Sequence, residues 1–423
     1  VRRGLIIVVV LVLLVPSLVC GAGFHIREQG AKAMGMANAF VAQADDPSAV
    51  FYNPAGIAFQ SGTQVSLGVT VINVPETEFK GTTALGTTVV NDVDTKARSD
   101  IFFPPNFYAT YSEKDSPWAF GIGVGSLYPL AKRWDNTSPF RDEIREIAIK
   151  PINVNPTVAY RIDKLNLSIG AGVDYTYAQV WLEKDAYLYN YGQIASSEIE
   201  GDGDGWGYNF GLLWKPVASV SVAVAYRSEI ELDIDGDVDF YVTPTGQSVL
   251  SGGHPEFIPS TDSADASTEI TLPDTWSFAI AWQPIEKLTV EVDADRFGWS
   301  SYDSLDIIFS DDSMFPDSLN RKDWNDVWAY RIGAQYALTD NLDLRLGYAR
   351  DNTPVPSDTM GPELPDSDRN NYTFGFGYHT ERAVIDFAYM WVDFDERKVD
   401  NDIQTGTYES AAHLFAANLT YFF

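Results

Sequence analysis

Three features of the sequence predict an all-β fold, a 14-stranded antiparallel transmembrane β-barrel with an N-terminal, partly helical plug (hatch) in the lumen. Bulky apolar residues recur at every second position in many segments. Short and long connections between those segments alternate along the chain. The chain ends on an alternating aromatic segment, "AANLTYFF". The expected organisation is residues 1–21 as a signal peptide, 22–62 as the plug and 63–423 as the barrel.

The N-terminus comes first. "VRRG" is a short basic region, Leu5 to Val19 is apolar throughout, and "CGAG" brings small residues. That is the three-part layout of a secretory signal peptide. A membrane-anchor helix is the alternative. A run this short, ended by Pro16, falls below the roughly 20 apolar residues that span a bilayer. Cleavage after Gly21 or Ala22 fits; a lipoprotein would use Cys20, and Val19 is bulky for that site. Cys20 is the only cysteine, so a cleaved chain has no disulfide and no cysteine-ligated metal.

Residues 22–62 do not alternate. They have Ala-rich helical character up to Gln43, then turn chemistry at "DDPS" (45–48) and "NPAG" (53–56). Read alone, the second is a plain turn, in which Asn caps, Pro fixes φ and Gly ends. Outside a barrel the apolar residues of this segment would lie unpaired, so the expected place for it is the lumen.

The barrel segments follow. "NLDLRLGYAR" sets Leu342, Leu344, Leu346 and Tyr348 against Asp343, Arg345, Gly347 and Ala349. "TWSFAIAWQP" and "NYTFGFGYHT" separate Trp, Phe, Ile and Tyr from Thr, Ser, Ala and Gly in the same way. Period two is the strand period. A soluble sandwich buries the bulky face against a second sheet, whereas a membrane barrel turns it to lipid and keeps a small or polar lumen. The connections decide between them. "SEKDSP", "RIDKL", "KPVAS", "QPIEK", "LTDN" and "TER" are short. Between them lie long acidic links at about 75–96, 131–143, 185–205, 235–269, 298–325, 352–370 and 395–410. Short turns on one side and long loops on the other are the layout of outer-membrane barrels. Leu419, Tyr421 and Phe423 suit a closing strand.

Some segments carry finer signals. In the third strand Gly121, Gly123 and Gly125 point inward, followed by Ser126; such glycines mark a bend or make room for the plug. The fourth strand carries Pro151 and Pro156, which remove ladder donors. Arg331 and Arg345 are inward by alternation, as a candidate headgroup site or as partners of lumen carboxylates. "GDGDG" (201–205) looks like a calcium loop but lacks the remaining ligand spacing, and reads better as a flexible loop. His25, His254, His379 and His413 show no ligand spacing.

Blocks along the chain resemble the FadL/TodX family of outer-membrane transporters for long-chain fatty acids and hydrophobic compounds. They include "AGFHIREQGAKAMGMANA", "DDPSAVFYNPAGI" with Asn53, Pro54 and Ala55, "FFPPNFYATY", "GIGVGSLYPLAKRW", "LPDTW" and "YARDNTPVPSDTMGPELPDSDR". The resemblance implies a hatch and an apolar pocket partly formed by the N-terminus, with Phe24 and Ile26 as candidates. It also implies an inward kink in the third strand that opens a lateral path, with the Asn53–Ala55 turn against that weak wall.

The expected function is passive transport of hydrophobic molecules. A net charge of −30 argues against binding nucleic-acid phosphate. A general porin or surface adhesin is the alternative, but it would need an open lumen. A barrel lipase would need a nucleophile and base in reach, and no serine motif pairs with the four histidines. The chain therefore reads as no enzyme, with no cofactor and no metal. Its expected partners are a hydrophobic small molecule, outer-membrane lipid and lipopolysaccharide, and the barrel-insertion machinery through the strand ending at Phe423. It is expected to be a monomer. Its acidic loops suit either divalent cations bridging to lipopolysaccharide or plain solubility.

Overall fold

The computed structural model describes residues 23–423 apart from 75, 87, 115, 189–190, 256–257 and 311–315. The expected signal peptide and Ala22 lie outside the described residues. The main sheet has nineteen hydrogen-bonded segments. Four strands are each interrupted once, and the two-residue segment Ile308–Phe309 belongs to a loop, which leaves fourteen. They are β1 (Gly62–Val74), β2 (Asp100–Phe102 and Pro105–Ser112), β3 (Trp118–Gly125 and Leu130–Arg133) and β4 (Glu146–Ile162). Next come β5 (Leu167–Leu188), β6 (Gly192–Val217), β7 (Val220–Arg227 and Ile230–Val242), β8 (Thr261–Leu272 and Thr275–Ile285) and β9 (Leu288–Phe297). Last are β10 (Val327–Thr339), β11 (Leu342–Asp351), β12 (Arg369–His379), β13 (Ala383–Phe394) and β14 (Ala411–Phe422). Each pairs antiparallel with the next, and β1 pairs with β14 in register Leu67–Leu419 to close the barrel.

Alternation has the predicted sense. Along β8, Trp276, Phe278, Ile280 and Trp282 are exposed while Ser277, Ala279 and Ala281 are buried. Trp206, Tyr208, Phe210, Leu212 and Trp214 of β6 form the same outward row. Large side chains exposed in rows on strand after strand are the lipid face of a barrel. Among the described residues, no helix is long and apolar enough to cross a membrane.

Four of the long links differ from their expected loop character. Most described residues of 185–205 and of 235–269 continue β5–β8 as ladder, and "GDGDG" is strand rather than loop. The physical reason is visible along "IELDIDGDVDFYV". Ile230, Leu232, Ile234, Val238 and Phe240 are buried, whereas Glu231, Asp233, Asp235, Asp237 and Asp239 are exposed. Period two continues under an acidic composition. Links 75–96 and 395–410 also pair, as a separate antiparallel sheet of Glu78–Leu85, Thr88–Lys96, Arg397–Asp400 and Gln404–Glu409.

The third strand is broken where its glycines end. Its pairs with β2 run from Ser112–Ala119 to Phe107–Val124, and pairing between these walls resumes only at the Ala97–Trp134 bridge. Among the described residues, no ladder pair joins 99–106 to 126–132. On the other side Gly125–Asn153 is the last pair with β4 before Leu130–Ile149. Four residues of β3 there face three of β4, so the strand bulges.

Candidate functional site

The N-terminal segment lies on the lumen side of strands all round the barrel. Thr70 of β1 donates to Glu28 O, Ser168 of β5 to Ala55 O and Thr373 of β12 to Gly35 O, at 3.0, 2.8 and 3.1 Å. The expected helix is short: up to Gln43 only Ala31–Met34 is α-helical, and a second four-residue α-helix, Ala49–Tyr52, leads to a 3-10 stretch at Pro54–Phe59. Ala37 and Asn38 have φ of 55° and 62°, which ends the helix. Beyond them the barrel wall supplies the acceptors a helix would have supplied. Glu291 accepts from Ala42 N (2.6 Å) and Gln43 N (2.8 Å), and Asp293 accepts from Phe40 N (3.1 Å) and Val41 N (3.4 Å).

Asn53 caps the 3-10 stretch by accepting from Ala55 N at 3.1 Å, and its amide donates to Val41 O and Leu212 O at 2.9 and 3.2 Å. Pro54 sits at the first position of that stretch. The turn rests on β5 and β6, where glycines make room. A Cβ on Gly211 would lie 2.0 Å from Asn53 Oδ1, and one on Gly170 2.5 Å from the Pro54 carbonyl carbon. This corrects the expectation that Asn53–Ala55 lies against the weak wall. Val50 and Ile57 are the neighbours of Gly121, and Val50 and Tyr108 those of Gly123. At the break itself stand residues 26–29: Ile26 N donates to Leu127 O at 2.7 Å, and Gln29 Nε2 to Ser126 O at 2.7 Å.

Beside the break is an aromatic cage. Phe24, fully buried, has ring centroids of Trp299, Tyr302, Trp324 and Tyr128 at 4.9, 5.8, 5.8 and 6.3 Å. Tyr128 lies three residues past Gly125, so the broken strand forms one wall. Ile26 joins a different cluster, with Ile72, Met390 and Leu414. Inward residues of the extended strands, among them Ile149, Leu182, Ile199 and Ile234, together with Ile307 of the loop after β9, line a narrow apolar chamber of about 30 Å³. Chamber, cage and break belong to one apolar cluster that includes Leu305, Tyr302, Trp299, Phe24, Tyr128 and Leu127.

The lumen cations the sequence singles out are already compensated. Arg331 pairs with Asp295 (2.7 Å) and Asp351 (2.9 Å). Arg345 pairs with Asp386 (2.6 Å) and Asp343 (3.5 Å) and donates to Gln335 (2.8 Å). Arg331 sits within an alternating buried chain, Arg27–Asp295–Arg331–Asp351–Arg369–Asp366, whose last carboxylate accepts from Gly23 N at 3.3 Å. A charge held this way has no surplus for a ligand, which corrects the headgroup expectation for both arginines. Lys184 differs. Its ammonium donates to Ser318 Oγ at 3.0 Å, and among the described residues no carboxylate lies within ion-pair distance. Ser318 in turn exchanges both backbone hydrogen bonds with Ile307 of the chamber lining, at 2.9 Å each. Sequence reading missed Lys184 because it stood at the very end of an expected strand, next to a link taken for loop; the signal was the inward row Val180, Leu182, Lys184.

Among the described residues the one carboxylate group close enough for a shared ion is Glu231, Asp233 and Glu269, all exposed.

The family model described as outer membrane protein transport protein (OMPP1/FadL/TodX) matches residues 12–423. Outer membrane protein P1 of Haemophilus influenzae is 24% identical over 444 residues, covering 95% of each chain. The long-chain fatty acid transport protein of Escherichia coli K12 is 25% identical over 447 residues, covering 98% of this chain and 97% of its own. Among solved structures, a Pseudomonas aeruginosa FadL homologue superposes with a TM-score of 0.83 at 22% identity, over 95% of this chain and 100% of its own. The Ralstonia pickettii toluene transporter TbuX gives 0.68 at 17% identity, over 93% and 98%.

Proposed function

Since the chain belongs to the outer membrane protein transport family (OMPP1/FadL/TodX), we propose that it carries hydrophobic molecules passively across the bacterial outer membrane. Substrate enters the apolar chamber from the long-loop side, passes to the cage around Phe24, and leaves sideways through the break in β3. The single observation that supports this route most is the continuous apolar cluster from Ile307 through Trp299 and Phe24 to Leu127. Each methylene kept out of water along it retains about 0.8 kcal/mol. A path straight down through the polar lumen forfeits that gain at every step. Residues 22–62 act as the plug; what supports this is that backbone groups of their described part are bonded to inward side chains of the wall.

The named relatives handle fatty acids in one case and toluene in another. For this chain Lys184 favours an amphiphile: a carboxylate headgroup beside Lys184 and Ser318, with its alkyl tail in the chamber. Binding of a fluorescent fatty acid to purified protein tests this. Lys184→Met should weaken it about tenfold, the scale of one lost charge-assisted hydrogen bond, and leave binding of an uncharged aromatic hydrocarbon unchanged. Equal loss for both ligands would refute the headgroup assignment. A general porin would instead conduct ions steadily in planar bilayers, and a barrel hydrolase would cleave ester substrates.

A further inference from the structure

We infer that Gln29 is the bolt of the lateral opening, a positioning residue whose amide holds the N-terminal segment across the broken end of β3. The inference rests on the sideways route proposed above. Gln29 is 2% exposed. Its Nε2 donates to Ser126 O at 2.7 Å and to Ile26 O at 3.3 Å. Ser126 and Leu127 are where β3 has lost β2 as a partner, so their carbonyls lack a ladder donor. The N-terminal segment supplies one to each, Gln29 Nε2 to Ser126 and Ile26 N to Leu127. A buried carbonyl without a donor is costly, so these two bonds close the break as well as decorate it.

Space is arranged for this side chain. A Cβ on Gly125 would lie 2.6 Å from Gln29 Oε1, so the amide fills the volume that a side chain at the end of β3 would take. The backbone of Gln29 is held separately. Its N–H bonds Arg27 O at 2.8 Å and Tyr52 Oη at 3.3 Å, Tyr52 Oη donates to Arg27 O at 2.6 Å, and Arg27 is paired with Asp295 at 3.0 Å. Withdrawing the bolt therefore takes a change of side-chain rotamer while the segment stays docked. Ser126, which the bolt holds, stands two residues from Tyr128, whose ring is 6.3 Å from that of Phe24. The bolt sits at the wall end of the cage, where a substrate leaving Phe24 meets it.

The test uses the full mature protein reconstituted in bilayers that contain brominated lipid, loaded with parinaric acid, a fluorescent polyene fatty acid. Albumin enclosed on the short-turn side traps any probe that leaves through the lumen. In the intact protein the probe should pass to the lipid and be quenched there. Gln29→Met, of similar length but without a donor, should speed that transfer about tenfold, and Gly125→Ala, which displaces the amide from the other side, should speed it in the same sense. Correct folding is read from heat-modifiable mobility and unchanged probe stoichiometry. Transfer to lipid at the wild-type rate in both variants would overturn the bolt and leave the sideways route standing. Delivery to albumin by the intact protein would overturn the route itself, and the bolt with it.

Discussion

The contact between the wall carboxylates and residues 40–43 sets how firmly the lumen segment is held, and its removal can be sized from the structure. The double variant Glu291→Ala, Asp293→Ala deletes the acceptors of four backbone N–H groups, those of buried Phe40, Val41 and Ala42 and of half-buried Gln43. A buried donor left unpaired costs about 1–3 kcal/mol. Water admitted to the vacated volume satisfies part of that, so the lower figure applies, or about 4 kcal/mol for the four. The net is about 4 kcal/mol in favour of the undocked segment, a rise of roughly 1,000-fold in its population. Single-channel recording in planar bilayers reads this directly, because an undocked segment opens the lumen to ions. Open events should become that much more frequent, with barrel folding verified by heat-modifiable mobility. Glu291→Gln keeps one carbonyl acceptor and should give an intermediate rise. A double variant that folds and conducts no more often than the intact protein would refute the reasoning. It would show that the segment is held elsewhere, for instance by the Arg27–Asp295 pair.

Three further outcomes are expected. Gly211→Val drives a side chain into the space of Asn53 Oδ1; it should unseat the Asn53–Ala55 turn and raise conductance, whereas Leu212→Val on the lipid side of the same strand should not. Glu200, Asp202 and Asp204 of β6 stand directly opposite Asp237, Asp235 and Asp233 of β7, and opposed like charges destabilise a ladder. Proteolysis of this extension should therefore slow as ionic strength rises from about 0.01 to 0.15 M and the Debye length falls from roughly 30 to 8 Å; no salt dependence would contradict it. Lys322 clasps the loop 352–368 through Glu363. Burial works against its charge, but Glu363 and Tyr302 outweigh burial and raise its pKa above the usual 10.5. A raised lysine pKa stabilises fully below the unfolded value and loses its effect as pH climbs through the folded one. Hydrogen exchange in these loops should stay slow at pH 10 and quicken only above 10.5, and Glu363→Gln should abolish that protection at neutral pH.

Much of the architecture was legible in the sequence because a barrel strand must answer to two solvents at once. Lipid on one side and the lumen on the other impose period two on every strand, and "TWSFAIAWQP" or "NYTFGFGYHT" can satisfy both only as strands. The inward sense of Gly121, Gly123 and Gly125 followed from the same alternation. It failed where composition was weighed above period: "GDGDG" and "IELDIDGDVDFYV" are acidic and glycine-rich, yet their alternation continues the ladder.

What only the tertiary structure decided is which inward groups meet. Alternation put Arg331 and Arg345 in the lumen but could not show that Asp295, Asp351 and Asp386 lie within ion-pair reach, because those partners come from other strands. The helix expected up to Gln43 stops early, because the acceptors for residues 40–43 sit on a strand some 250 residues further along the chain. Asn53–Ala55 lies on β5 and β6, and Gln29 at the break, because the glycine gaps that admit them are on different strands. Local sequence determines which face a side chain takes; closure of the sheet determines what it finds there.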